Sequence, residues 1–469
     1  MPRAPTSLLA AALCVLLGGC ATMAPDYTRP EAPVAPAWPT GPAYGDAEPG
    51  APAAAELEWQ RFFVEERLRR ILELALENNR DLRVAALRID RSRAQYRIQR
   101  AELLPTVSAA GAASAQRIPA DLSPTGDPSI ARQYTVGAGI AGYELDLFGR
   151  IRSLEDRALE AFLATGQAKR SVQISLLSEV SLRFLALAAD EERLRLARDT
   201  LTAQETSYGL IRRRYELGVA SELELRQAQT SVETARADIA RFTGQVAQDR
   251  NALELLAGTG LGPELLPGEL GSATVLQDLS PGLPSETLQR RPDILQAEHQ
   301  LRSAHANIGA ARAAFFPRVT LTTSLGLGSD ELAGLFDGGA RTWSFLPQIT
   351  VPLFTAGANQ ANLAVAEADR EIALALYEKA IQDAFREVAD ALAERGTLGD
   401  QLAAQEALVE AAAVTHRLSD ARYRGGVDGY LAVLDAQRSL YAAQQGLITV
   451  RLAQAVNRVT LYRVLGGGT

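Results

Sequence analysis

The sequence predicts a mainly α-helical protein with a transmembrane β portion, built as two structural repeats of helix, two strands, long helix, turn and helix. One observation is a segment that occurs twice, RYELGVASELELRQAQTSVETARADI at 214–239 and RYRGGVDGYLAVLDAQRSLYAAQQGL at 422–447. A second observation is four segments of about ten residues in which apolar and polar residues alternate, which is typical of strands. Long stretches without proline separate the strand pairs from the turns. A repeat of this length indicates a duplicated half-molecule rather than a solenoid unit.

Changes in composition along the chain suggest five segments. We predict a signal peptide at 1–19, a lipid-anchored, proline-rich strap at 20–60, a first repeat at 61–257, a linker at 258–284 and a second repeat at 285–469. The first repeat should open with one helix and the second with another, because each stretch carries apolar residues at helical spacing and ends before a proline. These opening helices are predicted to cover 62–103 and 285–316.

The repeated segment predicts a helical hairpin in each half. The first helix ends at a glycine, Gly218 or Gly426, followed by Val219 or Val427 at the tip of the turn. The second helix then carries apolar residues that step alternately by three and four positions, which is the heptad pattern of supercoiled helices. Each half should therefore contain a coiled-coil hairpin.

The four alternating segments are predicted as strands at about 106–116, 133–147, 318–328 and 342–353. A tilted strand of about ten residues crosses a bilayer, and an apolar face opposite a polar face is the pattern of a transmembrane barrel. A half-buried soluble sheet shows the same alternation, so the pattern alone leaves both interpretations open. In a membrane, four strands cannot satisfy their open edges, so several copies of the chain would have to contribute to one barrel.

Composition argues against several classes of function. The formal net charge is −8 with no long basic tract, so nucleic acid is not an expected partner. The three histidines and two cysteines form no metal-ligand pattern, so no metal and no cofactor are predicted. We found no nucleophile elbow and no phosphate-binding loop, so we do not predict an enzyme.

The N-terminus predicts a secreted and acylated protein. Arg3 precedes an apolar run at 8–17 that is too short to span a membrane, which is typical of a signal peptide. The run ends in Leu-Gly-Gly-Cys, which resembles the lipobox of bacterial lipoproteins and makes Cys20 the expected lipid attachment site. A plain signal peptide that happens to contain cysteine is the alternative. Ala21 fits sorting to the outer membrane, because in lipoproteins an Asp there commonly retains the protein at the inner membrane.

Several motifs carry a resemblance to a known family across nearly the whole chain. They are PDY at 25–27, NNRDL at 78–82, YELDLFGRIR at 143–152, RRPDI at 290–294, IGAARAAFFP at 308–317, PLFTAG at 352–357 and YRGGVDGYLAVLDAQRSLY at 423–441. In order and spacing they resemble the TolC-like outer-membrane efflux factors, in the lipoprotein branch that serves resistance-nodulation-division pumps.

The resemblance implies a homotrimer in the outer membrane, with a twelve-stranded β-barrel and a periplasmic α-helical coiled-coil barrel. Its expected partners are outer-membrane lipid, a periplasmic adaptor and an inner-membrane pump, which the chain would meet directly or through the adaptor. The implied function is the passive exit duct of a tripartite efflux system for drugs or other small molecules. The exit duct of a type I protein secretion system is an alternative, and a periplasmic coiled-coil structural lipoprotein is a more distant one.

The resemblance also implies roles for residues near the turns. It places Leu431 and Asp435 at a periplasmic gate, where three symmetry-related copies would form an apolar and an acidic ring. It assigns tip-closing interactions to Arg214, Tyr215, Arg422 and Tyr423, and adaptor contact to Gly218, Val219, Gly426 and Val427. The simpler interpretations are a solvated aspartate, arginines that interact with the helix dipole, and glycines that serve the backbone of the turn. Gln227 takes the place of Asp435 in the first repeat, which would weaken an acidic ring.

Overall fold

The computed structural model describes residues 22–44, 57–124, 126–273, 279–281 and 284–467. Its regular elements follow one another in the following order: α1 Trp59–Phe62, α2 Glu66–Asn78, α3 Arg80–Ala101, β1 Val107–Ile118, β2 Ser129–Leu145, α4 Arg150–Glu216, α5 Glu222–Ala257, α6 Leu270–Ala273, α7 Pro284–Arg290, α8 Pro292–Ala313, β3 Arg318–Ser329, β4 Arg341–Thr350, α9 Ala358–Arg424 and α10 Tyr430–Val464.

The two halves repeat the same elements, and most of them agree closely in length; the exception is the second strand, with 17 residues in β2 and 10 in β4. The long helices α4 and α9 each contain 67 residues, and the helices after the turns, α5 and α10, contain 36 and 35. The strands β1 and β3 each contain 12 residues. This agreement confirms the predicted mainly helical architecture with two repeats of helix, two strands, long helix, turn and helix.

The prediction of one continuous helix at the start of each repeat is wrong. The first is interrupted twice, and one break falls at Asn79, whose side-chain oxygen accepts the backbone N–H of Leu82 at 3.0 Å. Asparagine favours such a capping position because its side chain satisfies a backbone donor at the start of a helix. The second breaks at Arg291, because a residue before proline is disfavoured in the helical conformation and Pro292 follows it.

Three of the four strands differ from prediction by more than one residue at an end. The hairpin of β1 and β2 extends closer to its turn than predicted, since Ile118 pairs with Ser129. The strand β2 ends at Leu145, because the next residue, Asp146, caps the start of α4 by accepting two backbone N–H groups. The strand β4 ends at Thr350, which pairs with the first residue of β3, so no partner strand is left beyond it.

The four strands form one antiparallel sheet in the order β1-β2-β3-β4. Strands that are adjacent in the sheet are also successive strands of the sequence. Between β2 and β3 the chain forms the long helical hairpin and the linker. Among the described residues, β1 pairs only with β2 and β4 pairs only with β3. Both outer strands therefore keep one open edge.

The described residues divide into two compact units, and each unit draws on both repeats. The unit that contains the whole sheet, called the strand unit below, comprises the described residues of 1–31, 88–166 and 296–377. The other, called the helix unit, comprises those of 32–87, 167–295 and 378–469. The repeats of the sequence are thus not two separate compact domains.

An aromatic and aliphatic core stabilises the helix unit. Phe62 stacks on Tyr462 with ring centroids 4.3 Å apart, and Phe63 contacts both rings edge-on. Phe62 and Phe63 lie at and just after the end of α1, whereas Tyr462 lies near the end of the chain, so the contact joins the first and last helices of this unit. Phe184 of α4 is fully buried in the same cluster. Burying side chains of this size contributes about 1.5–3 kcal/mol each.

Helices in the strand unit follow the order of the strands. The Tyr96 hydroxyl of α3 donates to Glu155 of α4 at 2.8 Å. Arg157 of α4 donates to the side-chain oxygen of Asn307 in α8 at 3.1 Å. Asn359 of α9 donates to the backbone carbonyl just after α8, at 2.9 Å. The order α3-α4-α8-α9 therefore matches β1-β2-β3-β4, with α3 and α9 as the outer helices.

Among the described residues, α4 is the one helix with an apolar window long enough to cross a membrane. However, 61% of that window is buried inside the protein. A core helix of a folded protein passes the same test, and the burial favours that interpretation of α4.

Candidate functional site

One face of the sheet is apolar and exposed. Paired strand positions point to the same side of a sheet, so the pairs Leu325–Trp343 and Val319–Ile349 place four large apolar side chains on one face. Trp343 is 77% exposed and Ile349 is 68% exposed. Large apolar side chains exposed together along a sheet mark a surface that another apolar phase or molecule covers. The predicted apolar faces of β3 and β4 therefore lie on the same side of the sheet.

The opposite face carries glycine and short polar side chains. Gly137 of β2 pairs with Gly326 of β3 on this face, beside Ser324 and Ser344, whose hydroxyls lie 2.7 Å apart. A Cβ atom added at Gly137 would come within 2.8 Å of the carbonyl oxygen of Leu325. Only glycine fits where two backbones approach this closely, so these glycines bring β2 and β3 together. Leu346 of β4 is a large side chain on the same face and is exposed.

The two hairpin turns share one backbone structure. The N–H of Gly218 donates to Tyr215 O and the N–H of Val219 to Arg214 O; the second turn repeats both bonds, at Gly426 and Val427. This pair of bonds is the Schellman motif that closes a helix. Gly218 and Gly426 have φ of 75° and 71°, a left-handed conformation that favours glycine. Val219 and Val427 are both exposed at the tips.

A small buried cluster joins the two hairpins near their turns. The Arg214 guanidinium donates to the Tyr423 hydroxyl at 2.6 Å. Tyr423 packs against Tyr430 with ring centroids 5.5 Å apart, beside Ile211 of the first hairpin. Burial raises the pKa of Tyr430 to about 12, and its hydroxyl has no hydrogen-bond partner among the described residues. Tyr215, the counterpart of Tyr423, is exposed, so equivalent residues of the two repeats have different environments.

Arg422 has a different partner from its counterpart Arg214. Its guanidinium binds Asp428 of the same turn in a bidentate ion pair, with distances of 2.5 and 2.9 Å. The hydrogen bond from Arg422 lowers the pKa of the Asp428 carboxyl. The first turn has no acid at this place and instead begins α5 with a capping box between Ser221 and Glu224. Among the described residues of one chain, Arg422 therefore bonds to its own turn, and its tip-closing role stays a prediction.

Leu431 and Asp435 lie on one exposed face of α10. Both side chains are exposed, and Leu431 is 52% exposed although it is a large apolar residue. Val433 and Leu434, which lie between them in the sequence, are buried against the other hairpin. A spacing of four residues puts Leu431 and Asp435 on one side of the helix. In a single chain this face contacts solvent.

Several motifs that sequence reasoning left without a role lie where strands and helices join. Glu144 at the end of β2 accepts two hydrogen bonds from Arg150, at 2.8 and 2.9 Å, and pairs with Arg318 at the start of β3. Phe148 stacks on Phe316 at 4.8 Å. These contacts fix the direction in which the helices leave the sheet. The charged and aromatic residues of the 143–152 motif, next to the end of β2, are the signal that could have indicated them.

Two further expectations concern metals and the lipid. No group of three or more potential metal ligands occurs in the part of the chain that the structure describes. Cys20 and the predicted signal peptide lie outside the described residues.

Comparison with known proteins identifies the family. A family model described as outer membrane efflux protein matches residues 71–259 and 283–467, well over half of the chain. The chain belongs to the outer membrane efflux protein family. A relative from Pseudomonas putida, named probable efflux pump outer membrane protein TtgC, is 50% identical over 98% of this chain and 96% of its own length. This confirms the resemblance of the chain to the outer-membrane efflux factors.

Solved structures of outer-membrane channels share the fold of this outer membrane efflux protein. The open state of the MtrE outer membrane channel from Neisseria gonorrhoeae is 38% identical, with a TM-score of 0.87 over 96% of this chain and 98% of that one. A membrane protein from Pseudomonas aeruginosa is 46% identical, with a TM-score of 0.90 over 96% and 98% of the two chains. The chain is an outer-membrane efflux channel protein, and the sheet is its membrane part rather than a half-buried soluble sheet.

Proposed function

We propose that three copies of this chain form one passive exit duct, through which an inner-membrane pump and a periplasmic adaptor expel small molecules. The observation that carries the proposal is the four-stranded sheet with one exposed apolar face and two open edges. Open edges are not tolerated in lipid, so β1 and β4 have to pair with other copies. Three copies give twelve strands, as the family resemblance implies.

The duct performs transport without covalent chemistry in this proposal. The apolar face of the sheet contacts lipid, and the face with glycine, serine and threonine lines the water-filled interior. The glycines on the inner face let neighbouring backbones approach. Acylation of Cys20 adds a second attachment to the outer membrane, next to the strap.

The gate is proposed at the Leu431 and Asp435 face of α10. Three-fold symmetry repeats each residue around the axis, so three leucines narrow the channel and three carboxylates attract cations. Leu431→Ala should raise single-channel conductance in a planar bilayer, because the apolar ring becomes wider. Asp435→Ala should instead reduce the preference for cations, most clearly at low salt, where screening is weak.

The first repeat supplies a matched control for the gate. Leu223 occupies the equivalent position in α5 and is exposed as well, so Leu223→Ala removes the same atoms from the other hairpin. It should leave conductance close to that of the parent. Unchanged conductance and unchanged reversal potential in both second-repeat variants would show that this face does not line the constriction.

Adaptor contact is proposed at the exposed tips of the two turns. Gly426→Val should strain the turn by about 1–2 kcal/mol, because a non-glycine residue is disfavoured at positive φ. Cross-linking to the adaptor should fall while trimers survive. The control is Gly425→Val, since Gly425 lies at the same tip without a positive φ and a Cβ there meets its neighbours only at 3.4 Å or more. Normal adaptor cross-linking in the Gly426 variant would count against docking at this tip.

A further inference from the structure

The outer helices of the strand unit each leave an exposed stripe without a partner in the described chain. In α9 the stripe contains Val365, Asp369, Ile372 and Leu376, all exposed. In the strand-unit part of α3 it contains Arg91, Ala94 and Ile98, which are also exposed. Steps of three and four residues put the members of each stripe on one side of its helix. Such stripes are the pattern of helices that pack against another helix.

The two stripes carry complementary charges. Arg91 lies at one end of the α3 stripe and Asp369 lies within the α9 stripe. Neither side chain forms an ion pair in the part of the chain that the structure describes. Both would gain a partner if the two stripes met.

The open edges of the sheet bring these helices together between copies. The helix α3 leads into β1 and α9 follows β4, and these are the two strands with an open edge. If β4 of one copy pairs with β1 of the next, α9 of the first copy lies beside α3 of the second. The two helices then run in opposite directions, because α3 approaches the sheet and α9 leaves it.

The residues of the two stripes match in distance from the sheet. Ala361, exposed four residues before Val365, extends the α9 stripe toward the sheet. Ile98 and Ala361 each lie three positions from the helix end nearest the sheet, and Ala94 and Val365 each lie seven positions from it. A helix rises about 1.5 Å per residue, so the members of each pair stand at one level when the ends of α3 and α9 lie at the same distance from the paired strands. Arg91 and Asp369 lie ten and eleven positions away, within about 2 Å of one level. A large side chain thus faces a small one in each of the first two pairs.

From these observations we infer that the stripe of α9 docks onto the stripe of α3 in a second copy of this chain, with Arg91 paired to Asp369 and Ala94 packed against Val365. The inference rests on the proposed trimer and names the register of its helical interface. The contact continues the strand pairing of β4 with β1 into the helices, so that strands and helices specify the same neighbour.

Disulfide cross-linking tests the register. A disulfide requires Cα atoms about 4.4–6.8 Å apart, so a variant with Ala94→Cys and Val365→Cys should oxidise to covalent dimers and trimers. The control pair, Ala94→Cys with Ile372→Cys, is displaced by seven residues or about 10 Å along α9 and should remain uncross-linked. The Ala94→Cys variant alone accounts for any bond to the native cysteines. Cross-links in the displaced pair, or within one chain, would overturn the inference.

Reversal of the charges provides an independent test. Arg91→Asp and Asp369→Arg should each lower the yield of trimers, whereas the double reversal should restore it. Equal trimer yields in all three variants would contradict the pairing. Conductance in planar bilayers separates a failure of this interface from a failure of the proposed duct. If the variants conduct but fail the cross-linking and charge-reversal tests, the exit duct stands and this interface is refuted. If the parent protein itself forms no trimers and does not conduct, the proposed duct is refuted.

Discussion

Replacing Ile349 with arginine is expected to reduce the stable insertion of the protein into membranes. Ile349 is 68% exposed on the apolar face of the sheet and pairs with Val319 of β3. Arginine on the lipid face of a transmembrane barrel costs about 2–4 kcal/mol near the bilayer midplane and about 0–1 kcal/mol near the interfaces. Ile349 is the next-to-last residue of β4, so we expect a cost per chain toward the lower end of this range. A trimer carries the substitution three times. The measurement is the fraction of chains that reach the outer membrane as trimers resistant to detergent at room temperature.

The adjacent residue provides the control for this substitution. Gln348 pairs with Thr320 on the opposite face of the same strand, so Gln348→Arg introduces the same charge at nearly the same depth but toward the interior. The Gln348 variant should assemble like the parent and alter ion conductance instead. Equal losses in both variants would indicate that the two faces do not differ in their surroundings, and the assignment of the apolar face to lipid would fail.

The faces of the strands could be predicted from the sequence, because side chains in a strand alternate with a period of two. The alternation at 318–328 and 342–353 therefore identified the exposed face before any pairing was known. The turns were predictable for a similar reason. A glycine after a helical stretch supplies the left-handed residue that a Schellman motif requires, and Gly218 and Gly426 both have that conformation.

Contacts between residues far apart in the sequence were not predictable in the same way. Arg214 and Arg422 occupy equivalent positions, yet one binds Tyr423 of the other hairpin and the other binds Asp428 of its own turn. The repeat pattern assigns them the same role, because it contains no information on what packs across the hairpins. Arg291 was likewise part of a motif without a role, although it is buried and bonds to Val464 O and Glu387.

A buried carboxylate ties the start of the described chain to α8, and this was also not predicted. Glu298 is 3% exposed and accepts hydrogen bonds from Arg29, Arg302 and Tyr27. The Arg302 guanidinium lies 4.7 Å from the centroid of the Tyr27 ring. Burial alone would raise the pKa of Glu298, but the hydrogen bonds from Arg29 and Arg302 outweigh it and hold the pKa below its usual range. These contacts of Glu298, called the clasp below, hold residues 23–29 of the strap against α8, just after the proposed lipid attachment site.

Glu298→Ala should release residues 23–29 from α8. Removing one partner of a buried ion pair costs about 3–5 kcal/mol, and we expect about 1–3 kcal/mol here because both arginines are 39% exposed and regain water. A nitroxide spin label at Thr28→Cys, an exposed position of this segment, should therefore become more mobile than in the protein that keeps Glu298. The comparison variant is Cys20→Ser, which should lose incorporation of labelled fatty acid but leave the motion of the label at Thr28→Cys as restricted as in the parent. Labelling that persists in Cys20→Ser would refute acylation at that residue.

The clasp should also depend on pH with a definite sign. A carboxyl whose pKa is lower in the folded protein than in the unfolded chain stabilises the fold above the unfolded pKa, and that contribution is lost as the pH falls through the folded value. The restricted motion of a label at Thr28→Cys in the parent should accordingly be lost below about pH 4. Glu298→Gln keeps a hydrogen-bond acceptor but cannot ionise, so its label should move more freely near neutral pH and show no further change in the acidic range. An identical acid-induced loss in the parent and in Glu298→Gln would mean that another carboxyl controls the strap.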